Sequence, residues 1–293
     1  MFVRGGFIMK YNMQKTERSK KIAWKIVKYT ICILVSVIML APFYWMITTS
    51  LKEYSKVLEF PPQFFPNPVV FQNYIDLFRM QPFGLYLWNS IYTASIVTLS
   101  VVFFASIAGY AFAKLRFAGN NILFLIILSG MMMPVEITTI PLFIALSKLQ
   151  LVDTHFPLIV PQIFGYGGAF GVFLMRQFYI TVPDELIEAG KIDGCSQPKI
   201  FYNIVLPMST STIATLVIFT FLQNWNEFFV PLIFLSNSRL FTIPLALSLF
   251  TTESGVQWHL IMAAASVATV PVLIVFFFSQ RKFIESLAMS GLK

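Results

Sequence analysis

Six stretches of the sequence are each long and apolar enough to cross a lipid bilayer as a helix. A spanning helix needs roughly 20 mostly apolar residues. Only 12% of the 293 residues are charged, whereas soluble domains usually carry about 25%. The chain is therefore predicted to be an all-α membrane protein, with six spans at about residues 27–48, 87–112, 121–146, 156–179, 212–235 and 258–279.

Two of the predicted spans contain residues that interrupt helices. The third contains Pro134 and Pro141, and the fourth contains Gly165, Gly167, Gly168 and Gly171. In lipid, such breaks are tolerated where neighbouring helices or water satisfy the freed backbone groups. The spacing of Gly167 and Gly171 is more typical of helix packing than of a substrate site.

The distribution of Lys and Arg predicts the orientation of the chain. If the N-terminus is cytoplasmic, 16 of the 21 basic residues lie in inside segments and 5 in outside segments. Because cytoplasmic loops are enriched in Lys and Arg, both termini are predicted to be cytoplasmic. Residues 1–26 are predicted to be a basic cytoplasmic arm, disordered over its first twenty residues. Basic residues at anionic headgroups account for the net charge of +8 without a nucleic-acid partner.

The sequence predicts no catalytic residue, metal site or cofactor in this chain. The first apolar stretch is too long for the core of a signal peptide, so it is interpreted as a span. Cys32 and Cys195 lie in different environments and lack metal-ligand spacing. His155 and His259 lie at the edges of spans, where an interfacial position is expected rather than a ligand role.

The predicted orientation assigns the longer connections to the two sides of the membrane. Residues 49–86 and 236–257 are expected outside, and residues 180–211 inside. The first outside loop contains an extended stretch with Pro61, Pro62, Pro66 and Pro68. The inside loop is the most polar of the connections, so a soluble partner is expected to bind there.

Residues 183–194 of the inside loop have the signals of a short helix. Pro183 suits a first helical position, and Asp184 and Glu185 favour the positive end of the helix dipole. Gly194 is a natural stop, since glycine readily takes the left-handed conformation after a helix. The predicted apolar side carries Leu186, Ile187, Ala189 and Gly190.

A second short helix is predicted after the glycine. Ser196 can cap this helix, Pro198 suits its first turn, and Pro207 is expected to end it. Its apolar side carries Ile200, Phe201, Ile204 and Val205. The internal loop is therefore predicted to be two short helices joined at a glycine.

The spacing within this loop resembles the "EAA" loop of bacterial ABC importer permeases, whose pattern is E-A-A-x3-G-x9-I-x-L-P. The matching residues here are Glu188, Ala189, Gly190, Gly194, Ile204, Leu206 and Pro207. The sequence departs from the pattern at Gly190, where the family usually has alanine. It also has Ser211 where many relatives carry proline.

Other segments resemble the carbohydrate-type permeases of this family. They are residues 41–52, 108–117, 173–178, 224–228 and 261–265, together with the Ser290–Lys293 tail. The resemblance extends from about residue 25 to the end and is greatest to the second of two permeases in sugar importers of the maltose and multiple-sugar type. It implies a type I permease domain over residues 27–293, with six spans and cytoplasmic coupling helices.

The resemblance also implies a function. In such permeases the loop binds a cytoplasmic ATPase, and closure of the ATPase pair switches the permease between inward-open and outward-open states. The expected ATPase-coupling residues are Glu185, Glu188, Ala189, Gly190, Asp193, Gly194, Ile204, Leu206 and Pro207. The sequence has no phosphate-binding G-x-x-x-x-G-K-[ST] motif, so ATP and Mg²⁺ are expected on a partner ATPase.

The resemblance implies three kinds of protein partner in a bacterial cytoplasmic membrane. They are a second homologous permease, an ATPase dimer and an external sugar-binding protein. The loop at about 236–257 is expected to reach toward the binding protein, and the Ser290–Lys293 tail toward the ATPase pair. The sequence does not indicate which sugar is carried.

Two acidic residues in apolar segments leave open an alternative to the ABC permease function. Glu136 and Glu227 are costly in a membrane and by default suggest function, although pairing inside the bundle or a place near the outer surface would also explain them. Together with Trp225 and Asn226 they are candidates for a substrate path. An ion-coupled secondary transporter could use both acids, but the sequence lacks an inverted repeat of broken helices. A membrane-embedded enzyme, a non-transporting scaffold or a loop that is only a connector are further alternatives.

Overall fold

A computed structural model gives the backbone of residues 3–252 and 255–290, with side chains for 21–251 and 255–284. The described part of the chain is helical apart from its loops and one two-stranded hairpin. The helices are α1 (Val3–Ser50), α2 (Gln72–Met80), α3 (Phe83–Lys114), α4 (Asn120–Met132), α5 (Val135–Lys148), α6 (Phe156–Phe164), α7 (Tyr166–Ile180), α8 (Asp184–Ile192), α9 (Gln197–Ile200), α10 (Leu206–Met208), α11 (Thr210–Trp225), α12 (Phe229–Phe234), α13 (Ile243–Leu247) and α14 (Trp258–Ser290). The hairpin pairs β1 (Thr251–Thr252) with β2 (Gly255–Val256) in antiparallel register.

Helices α3 and α7 form the centre of the bundle because glycines let them approach closely. A Cβ on Gly109 of α3 would lie 2.7 Å from the Cβ of Met175. A Cβ on Gly171 of α7 would lie 2.8 Å from the Cβ of Ala105. The packing role expected for Gly171 is confirmed, since small residues are what permit such close contact in lipid.

The core has two main parts along α3. One part lies toward the end of α3 that contacts the internal loop, and contains Val97, Val101, Val172, Met175, Ile200 and Leu216. The other lies at the beginning of α3, where α2, α11 and α13 pack against α3 and α14 packs against α2 and α11. It contains Leu77, Phe83, Tyr86, Trp225, Phe250 and Ala263. The segments before α3 and between α12 and α14 are therefore packed onto the bundle.

Four helices of the described chain are long and apolar enough to cross a membrane, or up to six if each of two bent pairs is counted as one span. The first, second, fourth and sixth predicted spans correspond to the long helices at Lys21–Ser50, Phe83–Lys114, Phe156–Ile180 and Trp258–Ile284. The multi-pass helical membrane fold is confirmed. The other two predicted spans differ from straight helices.

The third predicted span, 121–146, is bent by 99° between α4 and α5. Met133 is extended, with φ −83° and ψ 120°, and Pro134 begins the next helix at its N-cap. A residue before proline is pushed out of the helical region, and proline itself offers no N–H to the preceding turn. Pro141 lies within α5 without ending it.

The fifth predicted span, 212–235, is wrong beyond residue 225. Helix α11 ends at Trp225, and α12 is a separate helix of six residues. Pro231 lies four residues after Glu227, and in a continuous helix its ring would clash with the Glu227 carbonyl. The side chain of Asn226 also bonds back to the Leu222 carbonyl at 2.8 Å, which closes the last turn of α11.

The fourth predicted span contains the expected glycine break, at one position. Helix α6 ends at Phe164 and α7 begins at Tyr166, with Gly165 at ψ −137° between them. A Cβ on Gly165 would lie 2.5 Å from the Pro161 carbonyl oxygen. The break therefore requires glycine at this residue.

Helix α1 begins at Val3, so the segment predicted as a disordered arm is helical. The Lys- and Arg-rich residues before the apolar stretch are good helix formers and continue its first turns. Residues 21–44 are exposed at every position. Trp45 and Met46 are half-buried, and residues 48–50 at the end of α1 are buried.

Candidate coupling loop and substrate path

The loop predicted to be internal consists of α8, a turn at Gly194, and a second helical segment from Gln197 to Met208. Asp184 and Glu185 lie in the first turn of α8 and Lys191 in its last, an arrangement that complements the helix dipole. Pro183 is the N-cap rather than the first helical residue, with φ −58° and ψ 135°. The predicted helix–glycine–helix arrangement is otherwise observed.

Gly194 gives the loop its turn. Its φ is +77°, and its N–H donates to the Lys191 carbonyl at 3.0 Å, while the Cys195 N–H donates to the Gly190 carbonyl at 2.9 Å. This pair of hydrogen bonds is the Schellman ending of a helix, which favours glycine at the left-handed position. A Cβ there would meet nothing within 4 Å, so the requirement is for backbone conformation alone.

Gly190 lets the two loop helices pack together. It is buried, and a Cβ on it would lie 3.1 Å from Cγ1 of Ile200 and 3.2 Å from Cδ1 of Ile204. Ile187 is buried on the same side. Leu186, predicted on this apolar side, is instead 40% exposed.

The second helical segment does not end at Pro207. Residues Phe201–Val205 form a π turn, in which the Leu206 N–H donates to the Phe201 carbonyl, and α10 continues to Met208. The widened turn makes room for the Pro207 ring, which would clash with the carbonyl four residues earlier in a regular helix. Ser196 is the N-cap as predicted, although its side chain makes no capping hydrogen bond.

The surface that the loop presents is acidic with apolar residues beside the acids. The side chains of Glu185, Glu188 and Asp193 are exposed, as are Ala189 and Pro207, whereas Ile204 and Leu206 are half-buried. Ile192 on the same helix is 85% exposed.

Lys114, the last residue of α3, holds the loop to the bundle. Its Nζ donates to Oδ1 of Asp184 and to the Val182 carbonyl, both at 2.6 Å, and its side chain is 7% exposed. This hydrogen bond and charge hold the pKa of Asp184 below its usual value. Sequence reasoning counted Lys114 only for orientation, and no local motif marks its partner 70 residues later.

The second loop helix is also attached to α3. The hydroxyl of Tyr110 donates to Oε1 of Gln197 at 2.9 Å. The ring of Phe201 packs against Tyr110 at 5.1 Å between centroids and against Tyr179 at 6.4 Å. Both halves of the loop are therefore attached to α3.

Trp225, proposed for the substrate path, is a core residue. It is 4% exposed, and its ring stacks on Phe221 with centroids 5.5 Å apart and an interplanar angle of 18°. Asn226 is exposed. Of these two neighbours only Asn226 is open to a ligand in this conformation.

Glu227 caps helix α12. Its Oε1 accepts hydrogen bonds from the N–H groups of Phe229 at 2.9 Å and Val230 at 3.1 Å. The structure thus gives Glu227 a local role that the sequence did not predict, because α12 itself was not predicted. Glu136 lies elsewhere, exposed in the first turn of α5 just after the bend at Pro134.

A small polar cavity adjoins Glu227. It has a volume of about 10 Å³ and its polar lining consists of Thr93, Gln162, Asn224, Glu227 and Thr242. The hydroxyl of Thr242 is buried and has no hydrogen-bond partner in the described part of the chain. The cavity has room for one water molecule and none for a sugar ring. Gln162 and Thr242 were not singled out from sequence, since neither belongs to a charged or spaced motif.

Comparison with known proteins shows what the whole chain is similar to. Residues 101–288 match the family described as "Binding-protein-dependent transport system inner membrane component". The arabinooligosaccharides transport system permease protein AraQ of Halalkalibacterium halodurans is 36% identical over 233 residues, covering 78% of this chain and 82% of that protein. The sn-glycerol-3-phosphate transport system permease protein UgpE of Yersinia pestis is 31% identical over 261 residues, covering 86% and 92%.

The fold is also similar to a solved structure. A chain from a bacterial ABC transporter involved in the import of the acidic polysaccharide alginate superimposes with a TM-score of 0.74. The match covers 91% of this chain and 98% of that chain at 21% sequence identity.

Proposed function

This chain belongs to the inner membrane components of binding-protein-dependent transport systems, and from that premise we propose that it is one permease subunit of an ABC importer of a sugar or oligosaccharide. Its relatives include permeases named for arabinooligosaccharides and for sn-glycerol-3-phosphate. The carbohydrate-type segments of the sequence support the first of these substrate classes.

The geometry of the internal loop is the observation that carries the proposal. Glu185, Glu188 and Asp193 lie exposed on α8 and the turn after it, with Ile192 exposed beside them. We assign this surface to a separate ATPase subunit, with Glu188 as an anchoring charge. The buried side, at Gly190 and Ile204, keeps the two loop helices together as one unit.

In this proposal the partner hydrolyses ATP, and the permease contributes helices α8 and α3, which change position between its two conformational states. A change in the ATPase moves α8, and Lys114 passes that movement to α3. Such coupling is a difference in contact free energy between two global states of the permease. Neither a catalytic residue nor a bound cofactor is required in this chain, and ATP and Mg²⁺ are held by the ATPase.

The substrate path is placed near the junction of α11 and α12. Asn226 is exposed there, and Glu227 borders the polar cavity with its second carboxylate oxygen free of the capping hydrogen bonds. The cavity is too small for a sugar here, so the path requires the other conformational state. Trp225 supports the junction from the core, and Glu136 remains a candidate at the outer surface of α5.

The remaining partners are proposed from the family. A second permease would cover exposed surface of this one, and an external binding protein would deliver the sugar near residues 236–257. Of the C-terminal tail proposed to contact the ATPase, only Ser290 lies within the described residues. Both termini are placed in the cytoplasm of a bacterium, because of the Lys and Arg distribution.

Co-purification tests the proposal directly. A tagged form of this chain is purified from native membranes, and the ATP hydrolysis of the preparation is measured with and without a sugar-loaded binding protein. We expect a second permease, an ATPase and stimulated hydrolysis. Isolation of this chain alone, with transport that follows an ion gradient, would contradict the proposal and favour the ion-coupled alternative through Glu136 and Glu227.

Reversal of the charge at Glu188 tests the docking surface. We expect Glu188→Lys to lower retention of the ATPase about tenfold or more, since a lost charged hydrogen bond costs about 1.5–3 kcal/mol. Glu188→Gln should give an intermediate loss. Glu53→Lys, on the other side of the bundle, is the matched control and should retain the ATPase fully. Equal retention by all variants would remove Glu188 from the anchor.

A further inference from the structure

The loop after α1 carries a dense group of exposed aromatic and aliphatic side chains. Residues 57–71 are here called the aromatic loop. Its large apolar residues and their exposed fractions are Leu58 81%, Phe60 90%, Phe64 65%, Phe65 76%, Val69 49% and Phe71 69%. Exposed apolar surface of this density is not left in water without a partner.

The middle of the aromatic loop contacts α1 near the end of that helix. The hydroxyl of Tyr44 donates to the Phe64 carbonyl at 2.9 Å. The ring of Tyr44 lies 6.1 Å from that of Phe65, and the ring of Trp45 lies 6.1 Å from that of Phe64. The loop therefore folds back along the helix and is held beside residues 44 and 45.

Both ends of the aromatic loop are also fixed. The Val70 N–H donates to the Leu51 carbonyl at 2.8 Å. Nζ of Lys56 donates to the Asn67 carbonyl, also at 2.8 Å. These bonds keep the rings at a set distance along α1, so the depth of α1 in the membrane also sets the depth of the rings.

The depth of residues 44 and 45 follows from the length of α1. Lys28 is the last basic residue before the apolar run of this helix. A hydrocarbon core about 30 Å thick corresponds to about 20 helical residues, so a core that begins at Lys28 ends near Thr48. Tyr44 and Trp45, and with them Phe64 and Phe65, then lie about 5 Å inside the far boundary of the core.

The composition of the loop suits that depth. Glu59 is the only ionisable residue among residues 57–71, and it accepts a hydrogen bond from Nε2 of Gln63 at 2.8 Å. Pro61, Pro62, Pro66 and Pro68 remove four N–H donors from a non-helical segment. Fewer unsatisfied backbone donors reduce the cost of placing irregular backbone next to lipid.

We propose that the aromatic loop is a lipid-binding anchor, which inserts Phe60, Phe64 and Phe65 at the headgroup–acyl boundary of the leaflet opposite the basic N-terminal segment. Aromatic side chains are enriched at this level of membrane proteins. The α1 surface next to the loop is exposed throughout residues 21–44 and continues the same apolar face. The anchor fixes the outer end of α1 at a constant depth.

Spin labels at single cysteines test this placement. Cys32 and Cys195 are first replaced by serine, and labels are then attached at Phe60→Cys and Phe65→Cys. Leu34→Cys, 58% exposed in the middle of α1, is the lipid control. Arg79→Cys, exposed at the end of α2, is the water control. The full chain, with the subunits that co-purify with it, is reconstituted into vesicles of phosphatidylethanolamine and phosphatidylglycerol.

Collision with oxygen and with a water-soluble nickel chelate is then measured for each label. We expect the labels at residues 60 and 65 to favour oxygen, with a ratio between those of the Leu34 and Arg79 controls. A ratio equal to that of the Arg79 control would mean that the loop lies in water. Low accessibility to both reagents would mean that protein covers the loop, and either result would overturn the proposal. Because both substituted rings are exposed, the variants should elute as the parent does in size-exclusion chromatography.

Discussion

Gly194 occupies a left-handed conformation, with φ +77°, and a Cβ there would meet no atom within 4 Å. Substitution at this position therefore tests backbone conformation without a packing change. We expect Gly194→Val to abolish sugar-stimulated ATP hydrolysis in membrane vesicles, because β-branched residues strongly disfavour this conformation. Gly194→Asn is the matched control and should retain most of the stimulation, since asparagine tolerates it. Normal stimulation in the valine variant, at equal permease content, would show that the turn is dispensable.

Residue identity predicted some roles in the site and not others. Gly194 and Ser196 could be assigned from sequence because their conformational preferences are local. Glu227 could not, because its carboxylate caps a helix that begins two residues later and was expected to be part of a longer span. Trp225 was proposed for a sugar path from residue type, whereas its position depends on packing against Phe221.

The sequence predicted those helices whose position depends only on a long run of hydrophobic residues. Long apolar helices such as α3 and α14 were found from sequence, since a membrane leaves the backbone few alternatives. The bend of 99° between α4 and α5 was not. Pro134 marks where a helix can break, but the angle depends on what the next segment packs against. The π turn at Phe201–Val205 was also not predicted. Pro207 was expected to end the helix, whereas the wider turn accommodates its ring and the helix continues.

The bridge between α3 and α8 gives a prediction at the scale of elements. We expect Lys114→Met, Asp184→Asn and the double variant to reduce sugar stimulation of ATP hydrolysis to a similar degree. Members of one ion pair give non-additive effects when the pair is the route of coupling. Arg116→Met removes a cation whose charge acts on Asp184 more weakly than that of Lys114, and it should reduce the stimulation much less. Fully additive losses would show that Lys114 and Asp184 act separately.

The loop between α5 and α6 is tied to the segment after α12 by Asp153. Its Oδ1 accepts hydrogen bonds from the N–H groups of Asn237 at 2.8 Å and Ser236 at 2.9 Å. These bonds hold the pKa of Asp153 below its usual value. In the unfolded chain the pKa of an aspartate is about 3.9. Above that pH the ionised Asp153 carboxylate contributes its full stabilisation to the tie. This contribution is lost as the pH falls through the lower pKa of the folded state.

Hydrogen exchange at these two amides checks the expectation for Asp153. In the parent protein, protection at Ser236 and Asn237 should stay constant from neutral pH down to about pH 4, after correction for intrinsic rates, and decline below that value. Asp153→Ala should lose this protection at every pH, whereas Asp153→Asn should keep part of it, because an amide oxygen also accepts hydrogen bonds. Unchanged protection in the alanine variant would mean that the two amides are shielded by something else.

At the scale of the whole molecule, α3 connects the two proposed binding surfaces. Near its beginning, the Asn89 side chain donates to the carbonyls of Arg239 at 2.9 Å and Phe241 at 3.0 Å. At its end, Lys114 bonds to Asp184 of α8. A helix of 32 residues is about 48 Å long, so Arg239 and the coupling loop lie at opposite ends of a span that is longer than the hydrocarbon core.

The distribution of Lys and Arg predicts that the coupling loop lies at the cytoplasmic end of α3, and cysteine labelling tests this orientation. We expect Arg239→Cys, in a background with Cys32 and Cys195 replaced by serine, to react with a membrane-impermeant maleimide in intact cells. Lys191→Cys on α8 should react only after the cells are permeabilised. Both side chains are exposed, so access to the reagent depends on the membrane and not on burial. The reverse pattern would place α8 outside, where no ATP-hydrolysing partner could reach Glu188, and would remove the basis of the proposed coupling.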